Sequence, residues 1–290
     1  MVRHYRGIHA VLYAVFDAGE RLDRGAMAAQ MAYVREAGAN GVTVLGLATE
    51  VAKLGEAEQR QLIDWAAGDR GDLPLSVTVS GNSVATQVAL AHHAAAAGAD
   101  WLILQPPLAG SYGAQEYLDF LARVGEAADL PFAVQNAPQY LGRSLSVTDI
   151  AALAERCAGF THVKAEGTAA DLAALVAVAG ERLCVLNGRG GLEMTDCLRA
   201  GAGGFIVAPD VLPGVVACWR AWCAGDAAAA ERAYAGFLPG ALFAMQSLEH
   251  LICYGKRIFG LRAGIAVHDR APALRPTEAG LAMARHWAGL

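Results

Sequence analysis

The sequence predicts a (β/α)8 TIM barrel followed by a C-terminal helical extension. Three observations carry that expectation. Short β-rich runs alternate eight times with longer Ala/Leu-rich runs of helical periodicity. Each unit takes about 25 to 35 residues, the size of a strand-helix-strand repeat. Several helical runs close on Ala-Gly-Ala, at 37–39, 97–99 and 200–202, where glycine supplies a left-handed cap and the chain turns into the next strand. An open doubly wound sheet rarely needs eight such regular repeats, and no GxGxxG follows the first strand.

In order, strand His9–Val15 leads to helix Arg24–Glu36, and Gly41–Gly46 to Glu56–Ala67. Leu75–Ser80 precedes Ser83–Ala97, Trp101–Gln105 precedes Ala114–Ala127, and Pro131–Asn136 precedes Ser146–Cys157. Phe160–Glu166 is followed by Ala169–Ala179, Leu183–Gly188 by Gly191–Ala200, and Gly203–Ala208 by Val211–Ala224. After Asp226 the pattern is wholly helical, with runs at Ala227–Phe237, Ala241–Leu261 and Thr277–Ala288. Residues 1–225 are therefore expected to form the barrel and 226–290 to pack on it, with no linker between them.

A chain of 290 residues, 55% hydrophobic and 18% charged, can bury a large core. Its net charge of -5 and pI near 5.9 provide no footprint for nucleic acid, so the expected partner is small or a protein. The N-terminus lacks the apolar segment of a signal peptide and no run reaches 18 apolar residues, which reads as cytosolic and without a membrane span. The six cysteines show neither CxxC nor a close Cys/His cluster; buried free thiols are expected, and neither a metal nor a cofactor.

The chemistry is expected at the carboxyl ends of the strands. Lys164 lies there, inside the strand-like run 160–166, where a lysine is costly to bury unless it is paired or its amine reacts. Desolvated lysine is the usual Schiff-base nucleophile. A period of two sets His162, Lys164 and Glu166 on one face, so Glu166 either holds the ammonium at rest or accepts its protons. A purely structural ion pair is the competing reading.

Other side chains read as structural. His92-His93 falls mid-helix, with one imidazole half-exposed and the other packed, and Trp219 and Trp222 share a core or interface stripe. His250 and His268 read as surface or interface residues, and Lys256, Arg257 and Arg262 as a solvated face or ion pairs.

Gly46-Leu47-Ala48-Thr49-Glu50 with Lys53-Leu54 and Glu58, Gln135-Asn136-Ala137-Pro138, Val163-Lys164 and 200–204 (Ala-Gly-Ala-Gly-Gly) occur in an order that resembles one family. It is that of dihydrodipicolinate synthase, N-acetylneuraminate lyase and several sugar-acid dehydratases. The resemblance runs from Arg6 through the C-terminal helices. It implies a homotetrameric barrel in which Lys164 forms a Schiff base with the ketone of a 2-oxo acid, the imine stabilising negative charge on the neighbouring carbon.

The departures bear on the reaction. Family members that make or break carbon–carbon bonds carry a tyrosine where this chain has Gln135, and two threonines where it has Leu47 and Ala48. A second tyrosine aligns near Leu108, and the carboxylate-binding arginine near Tyr140, with Arg143 close by. Leucine and alanine have no exchangeable proton and an amide does not transfer one, so the hydroxyl relay is missing.

The Gln-Asn-Ala-Pro motif with Lys164-x-Glu166 resembles the branch of 2-keto-3-deoxy-L-arabonate dehydratase. That branch implies water loss from a 2-oxo-3-deoxy sugar acid, with Glu166 or a water it orients as base. Thr49 and the N–H groups around Ala48 would hold the substrate carboxylate. Gln135, Asn136, Asn187 and Arg189 are further candidates for substrate contact, and Glu50 either joins them or ties down its loop. An aldolase with an altered relay and a silent ligand-binding barrel are the alternatives.

Overall fold

The computed structural model describes residues 4–290. Eight parallel strands close into a barrel in sequence order: β1 (Gly7–Val11), β2 (Gly41–Val44), β3 (Leu75–Val79), β4 (Trp101–Leu104), β5 (Phe132–Asn136), β6 (Phe160–Ala165), β7 (Cys184–Asn187) and β8 (Gly204–Val207). β8 returns to β1 with Ile8 opposite Phe205. Around it lie α1 (Arg24–Glu36), α2 (Glu56–Asp69), α3 (Val84–Ala97), α4 (Ala114–Ala128), α5 (Pro138–Leu141), α6 (Val147–Arg156), α7 (Ala169–Ala179), α8 (Met194–Arg199) and α9 (Leu212–Cys223). The chain ends in α10 (Ala227–Ala244), α11 (Leu248–His250), a π turn (Leu251–Gly255), α12 (Lys256–Ala263) and α13 (Glu278–Ala288). Among the described residues no helix is long and apolar enough to cross a membrane.

The period of two along each strand sorts the core into two layers. Ile8, Ala10, Val42, Val77, Leu102, Val163 and Val207 pack outward with the helices, while Val11, Trp101, Ile103, Ala133, Leu186 and Ile206 cluster inside the barrel. Both strand faces are thereby buried, which is why these runs read as nearly continuous hydrophobic stretches.

The larger shifts of expected boundaries each have a local reason. The first strand ends at Val11 rather than Val15, because the Tyr13 peptide group pairs with the Gln30 side chain instead of a neighbouring strand: Tyr13 N donates to Oε1 and Gln30 Nε2 to Tyr13 O, both at 2.9 Å. The helix expected at Gly191–Ala200 starts only at Met194, since Gly190 and Gly191 take φ of 63° and 78°. The helix expected to stop at Phe237 runs through Pro239 to Ala244. The break falls instead before Ser247, whose side chain accepts from His250 N.

Several side-chain expectations also change. Cys223 is exposed while the other five thiols are buried. Neither His92 nor His93 is packed in the core: their Nε2 atoms lie 2.8 Å from Ala127 O and from Asp64 Oδ1 respectively. Of the two readings for Lys256, the ion pair holds and the solvated face does not: it is fully buried against Glu50.

The end of the barrel opposite the strand carboxyl termini is plugged by aromatic groups. Trp101, Tyr5 and His162 form a triangle of rings, with the Trp101 centroid 5.6 Å from Tyr5 and 4.9 Å from His162 and those two 5.8 Å apart. Tyr5 N donates to His162 Nε2 at 2.8 Å, and His9 Nε2 lies 3.1 Å from Tyr5 O. Burial lowers the pKa of His162 to about 3 and of His9 to about 4, from 6.5.

Below pH 6.5 the unfolded chain binds protons at these two sites that the folded chain refuses, so the stability they contribute is full above 6.5 and lost as pH falls toward 4 and 3. The Tm is expected to drop by roughly 5 °C or more between pH 6.5 and 4.5. His162→Gln, which keeps an acceptor for Tyr5 N, should show a shallower slope; an unchanged slope in calorimetry would remove His162 as a cause.

Candidate active site

β6 carries Lys164 and, two residues on, Glu166 to the carboxyl end of the barrel. Their Nζ and Oε1 atoms are 2.9 Å apart, with both side chains about 5% exposed or less. β5 brings Gln135 opposite Lys164 in the strand register. Gln135 Nε2 donates to Glu166 Oε1, and Gln105 Nε2 donates to Gln135 Oε1 at 2.8 Å. Glu166 N is tied to Asn136 O at 2.9 Å, which holds the chain just past the strand.

Gly188, after β7, makes room for the pair. A Cβ there would stand 2.8 Å from both Lys164 Cε and Glu166 Cγ. No other residue type fits without moving one of them.

Across the mouth, Tyr13 Oη donates to Asp210 Oδ1 at 2.9 Å. Burial raises the Asp210 pKa above the ordinary carboxylate value, and burial with the nearby Asp210 charge pushes Tyr13 well above 10. Gly255 lets the C-terminal helices come close, since a Cβ there would lie 2.9 Å from Tyr13 Oη and 3.3 Å from Asp210 Oδ2. The two pairs line or back one cavity, whose polar side chains are Lys164, Glu166, Tyr140 and Asp210. Burial, then the Glu166 charge, raises the Tyr140 pKa.

The loop after β2 forms another wall. Leu45 and Glu50 both take φ of 60°, a left-handed conformation that costs non-glycine residues about 1 kcal/mol or more. Between them lies a 3-10 turn, Leu47–Thr49. The Glu50 carboxylate pays for the bend: Oε2 is 2.6 Å from Lys53 Nζ and Oε1 is 2.6 Å from Lys256 Nζ. Lys256 also lies 4.8 Å from the centre of the Phe16 ring. Burial lowers the Lys256 pKa against the opposing pull of Glu50.

Of the residues expected at the site, Lys164, Glu166 and Ala48 line the cavity, and Gln135 reaches it through Glu166. The other side chains have protein partners. Thr49 Oγ1 donates to Leu12 O at 2.6 Å, and Glu50 holds the two lysines. Asn136 exchanges two 3.0 Å hydrogen bonds with the Leu145 backbone. Asn187 Oδ1 accepts from Arg189 N at 2.9 Å, and the Arg189 guanidinium meets Glu193 Oε2 at 2.5 Å. Arg143 turns to Tyr117 Oη, 2.6 Å away, and to Gly110 O.

Tyr13 and the wall-forming Met245, Leu248 and Leu251 carry no signal in the sequence. Asp210 stands at a strand end, the one feature that marks it.

A closed parallel barrel with its polar cluster at the carboxyl ends of the strands is the architecture of a barrel enzyme. The model of the Dihydrodipicolinate synthetase family matches residues 4–271. The chain belongs to that family, which is a family of lyases.

The chain is 27% identical over 212 residues to a 4-hydroxy-tetrahydrodipicolinate synthase of Methanosarcina mazei, covering 72% of each. It is 30% identical over 237 residues to an enzyme of the same name from Synechococcus sp. (strain CC9605), covering 79% of this chain and 78% of the other. Its fold superposes with a TM-score of 0.91, at 22% identity and 97% coverage of both chains, on YagE, a prophage protein of E. coli K12 solved in complex with pyruvate.

A methyl group at position 188 is expected to separate the ion pair. In a crystal structure of Gly188→Ala the Lys164 Nζ to Glu166 Oε1 distance should exceed 4 Å, with a stability loss of about 1–3 kcal/mol. Retention of the 2.9 Å contact in that variant would show that the glycine is not needed for it.

Proposed function

We propose that the protein is a Schiff-base lyase acting on a 2-oxo acid, with Lys164 as nucleophile and loss of water favoured over cleavage of a carbon–carbon bond. The observation that carries this reading is the Lys164–Glu166 pair, 2.9 Å apart and lining a cavity at the barrel mouth. A proton passes from the ammonium to Glu166, and the freed amine attacks the C2 carbonyl. Glu166 returns that proton to the carbinolamine hydroxyl, which leaves as water, so that a protonated imine and a free Glu166 carboxylate remain. The imine draws electrons from C3, whose proton goes to Glu166 or a water held by it. The C4 hydroxyl then departs as water, protonated by an acid that faces the cavity; the Tyr140 hydroxyl and the Asp210 carboxyl are the two candidates. Hydrolysis of the imine returns the amine.

Gln135 fits this sequence as a positioning residue. Its amide fixes the Glu166 carboxylate but carries no transferable proton, so the relay that an aldol partner needs is missing at that place. Leu47 and Ala48, whose N–H groups precede the first bond of the 3-10 turn from Thr49 N to Gly46 O, are suited to hold the substrate carboxylate. Thr49, Glu50, Asn136, Asn187 and Arg189 then act by shaping the loops around the substrate. A 2-oxo-3-deoxy sugar acid is the substrate that the motif resemblance implies for such a 4-hydroxy-2-oxo acid reaction.

Residues 1–225 and 226–290 would work as one unit, because Lys256 anchors the β2 loop and Leu251 lines the cavity. A homotetramer, with the exposed Leu108 and Tyr112 at a subunit contact, belongs to the same reading.

Borohydride reduction in the presence of pyruvate is expected to leave an intact-mass adduct that peptide mapping places on Lys164. Lys164→Arg should lose both adduct and turnover, since a guanidinium does not form the imine; full activity in that variant would overturn the mechanism. Glu166→Gln is expected to lower kcat by about 100-fold or more with KM little changed. A normal kcat would move the base elsewhere.

A further inference from the structure

The cavity beside Lys164 is polar on one side and hydrocarbon on the other. Lys164, Glu166, Asp210 and Tyr140 supply its polar side chains. Among the partly exposed lining side chains Leu47, Met245 and Leu248 are apolar and Tyr140 presents a phenol, and the apolar wall is continued by Val211, Leu251 and Ile206.

The nearby cations are committed elsewhere. Among the described residues lining the cavity, Lys164 is the one lysine or arginine, and Glu166 already meets its charge. Arg189 is paired with Glu193, Arg143 with Tyr117 and Gly110, and Lys53 and Lys256 with Glu50.

The reacting end of a 2-oxo acid takes up most of the polar side. Its ketone takes Lys164, its C3 proton takes Glu166, and its C4 hydroxyl takes one of Tyr140 and Asp210. The rest of the wall is leucine, isoleucine, valine and a thioether, against which a further hydroxyl group finds no side-chain partner. An alkyl or aryl tail loses nothing there and gains from burial. Met245 is suited to such a tail, because an unbranched thioether adjusts its shape and makes favourable contacts with ring edges.

We infer that the substrate is a 4-hydroxy-2-oxo acid whose chain beyond C4 ends in an apolar group, branched alkyl or aryl, in place of the polyol of a sugar acid. The inference rests on the Schiff-base reading of Lys164 and refines it by substrate class. The apolar wall selects the tail, and the buried pairs handle the head.

Calorimetric binding to the wild-type protein tests it, with 4-hydroxy-2-oxo-4-phenylbutanoate against a five-carbon 2-oxo-3-deoxy sugar acid, alongside borohydride trapping with pyruvate. The phenyl compound is expected to bind at least about tenfold more tightly. Its turnover, followed as water loss and as aldehyde release, should exceed that of the sugar acid by a similar factor in kcat/KM. Leu248→Asn should narrow the ratio, chiefly by raising KM for the phenyl compound.

Equal or reversed affinities overturn the inference, whether or not an adduct forms. A missing adduct with the phenyl preference intact overturns the Schiff-base reading and leaves the tail preference standing.

Discussion

A buried amine and a buried carboxylate, 2.9 Å apart at the mouth of a closed barrel, depend on each other. Taking either out of water costs several kcal/mol, and only the partner's charge and well-aimed hydrogen bonds offset it. The surroundings meet that demand. Gln105 orients Gln135, and Gln135 donates to Glu166, so the carboxylate has a hold besides the lysine. Gly188 leaves the space that both side chains occupy. Packed hydrophobic residues would hold a barrel together at least as well, so the pair is costly unless the amine is used.

The walls of the cavity are held by a second set of charges. Glu50 closes a loop bent through two left-handed residues, and its carboxylate is neutralised from two directions, by Lys53 in the same loop and by Lys256 from α12. Arg262 donates to Asp210 O, which fastens the same C-terminal segment to the strand end that bears the second carboxyl. Leu248 and Leu251 thus reach the cavity because charges elsewhere on their segment are pinned to the barrel. The segment beyond the eighth repeat thereby forms part of the cavity wall.

The pattern of the sequence and the physics of strands agree where the signal is local. Lys164 and Glu166 share a face because side chains alternate, and both are buried there. The eight repeats and their glycine-ended helices announce the barrel, and the family motifs agree with it. Where a partner lies far along the chain, the reading stops short. Nothing near Tyr13 shows that Gln30 will take its peptide group out of the first strand, or that Asp210, 197 residues away, will receive its hydroxyl. Lys256 looks like one of several cations on a late helix, yet its carboxylate partner is 206 residues distant.

By itself, then, the sequence determined the repeat, the barrel, the family and the strand that bears the amine, because each rests on periodicity or short motifs. Only the tertiary structure decided which polar groups face the cavity. Thr49, Asn136 and Arg189 stand at strand ends, as their positions foretold, but backbone carbonyls and a neighbouring carboxylate claim their side chains. A side chain's direction at a barrel rim is set by competition among all hydrogen-bond partners within reach. That set exists only once eight strands and the C-terminal helices have been brought together in space.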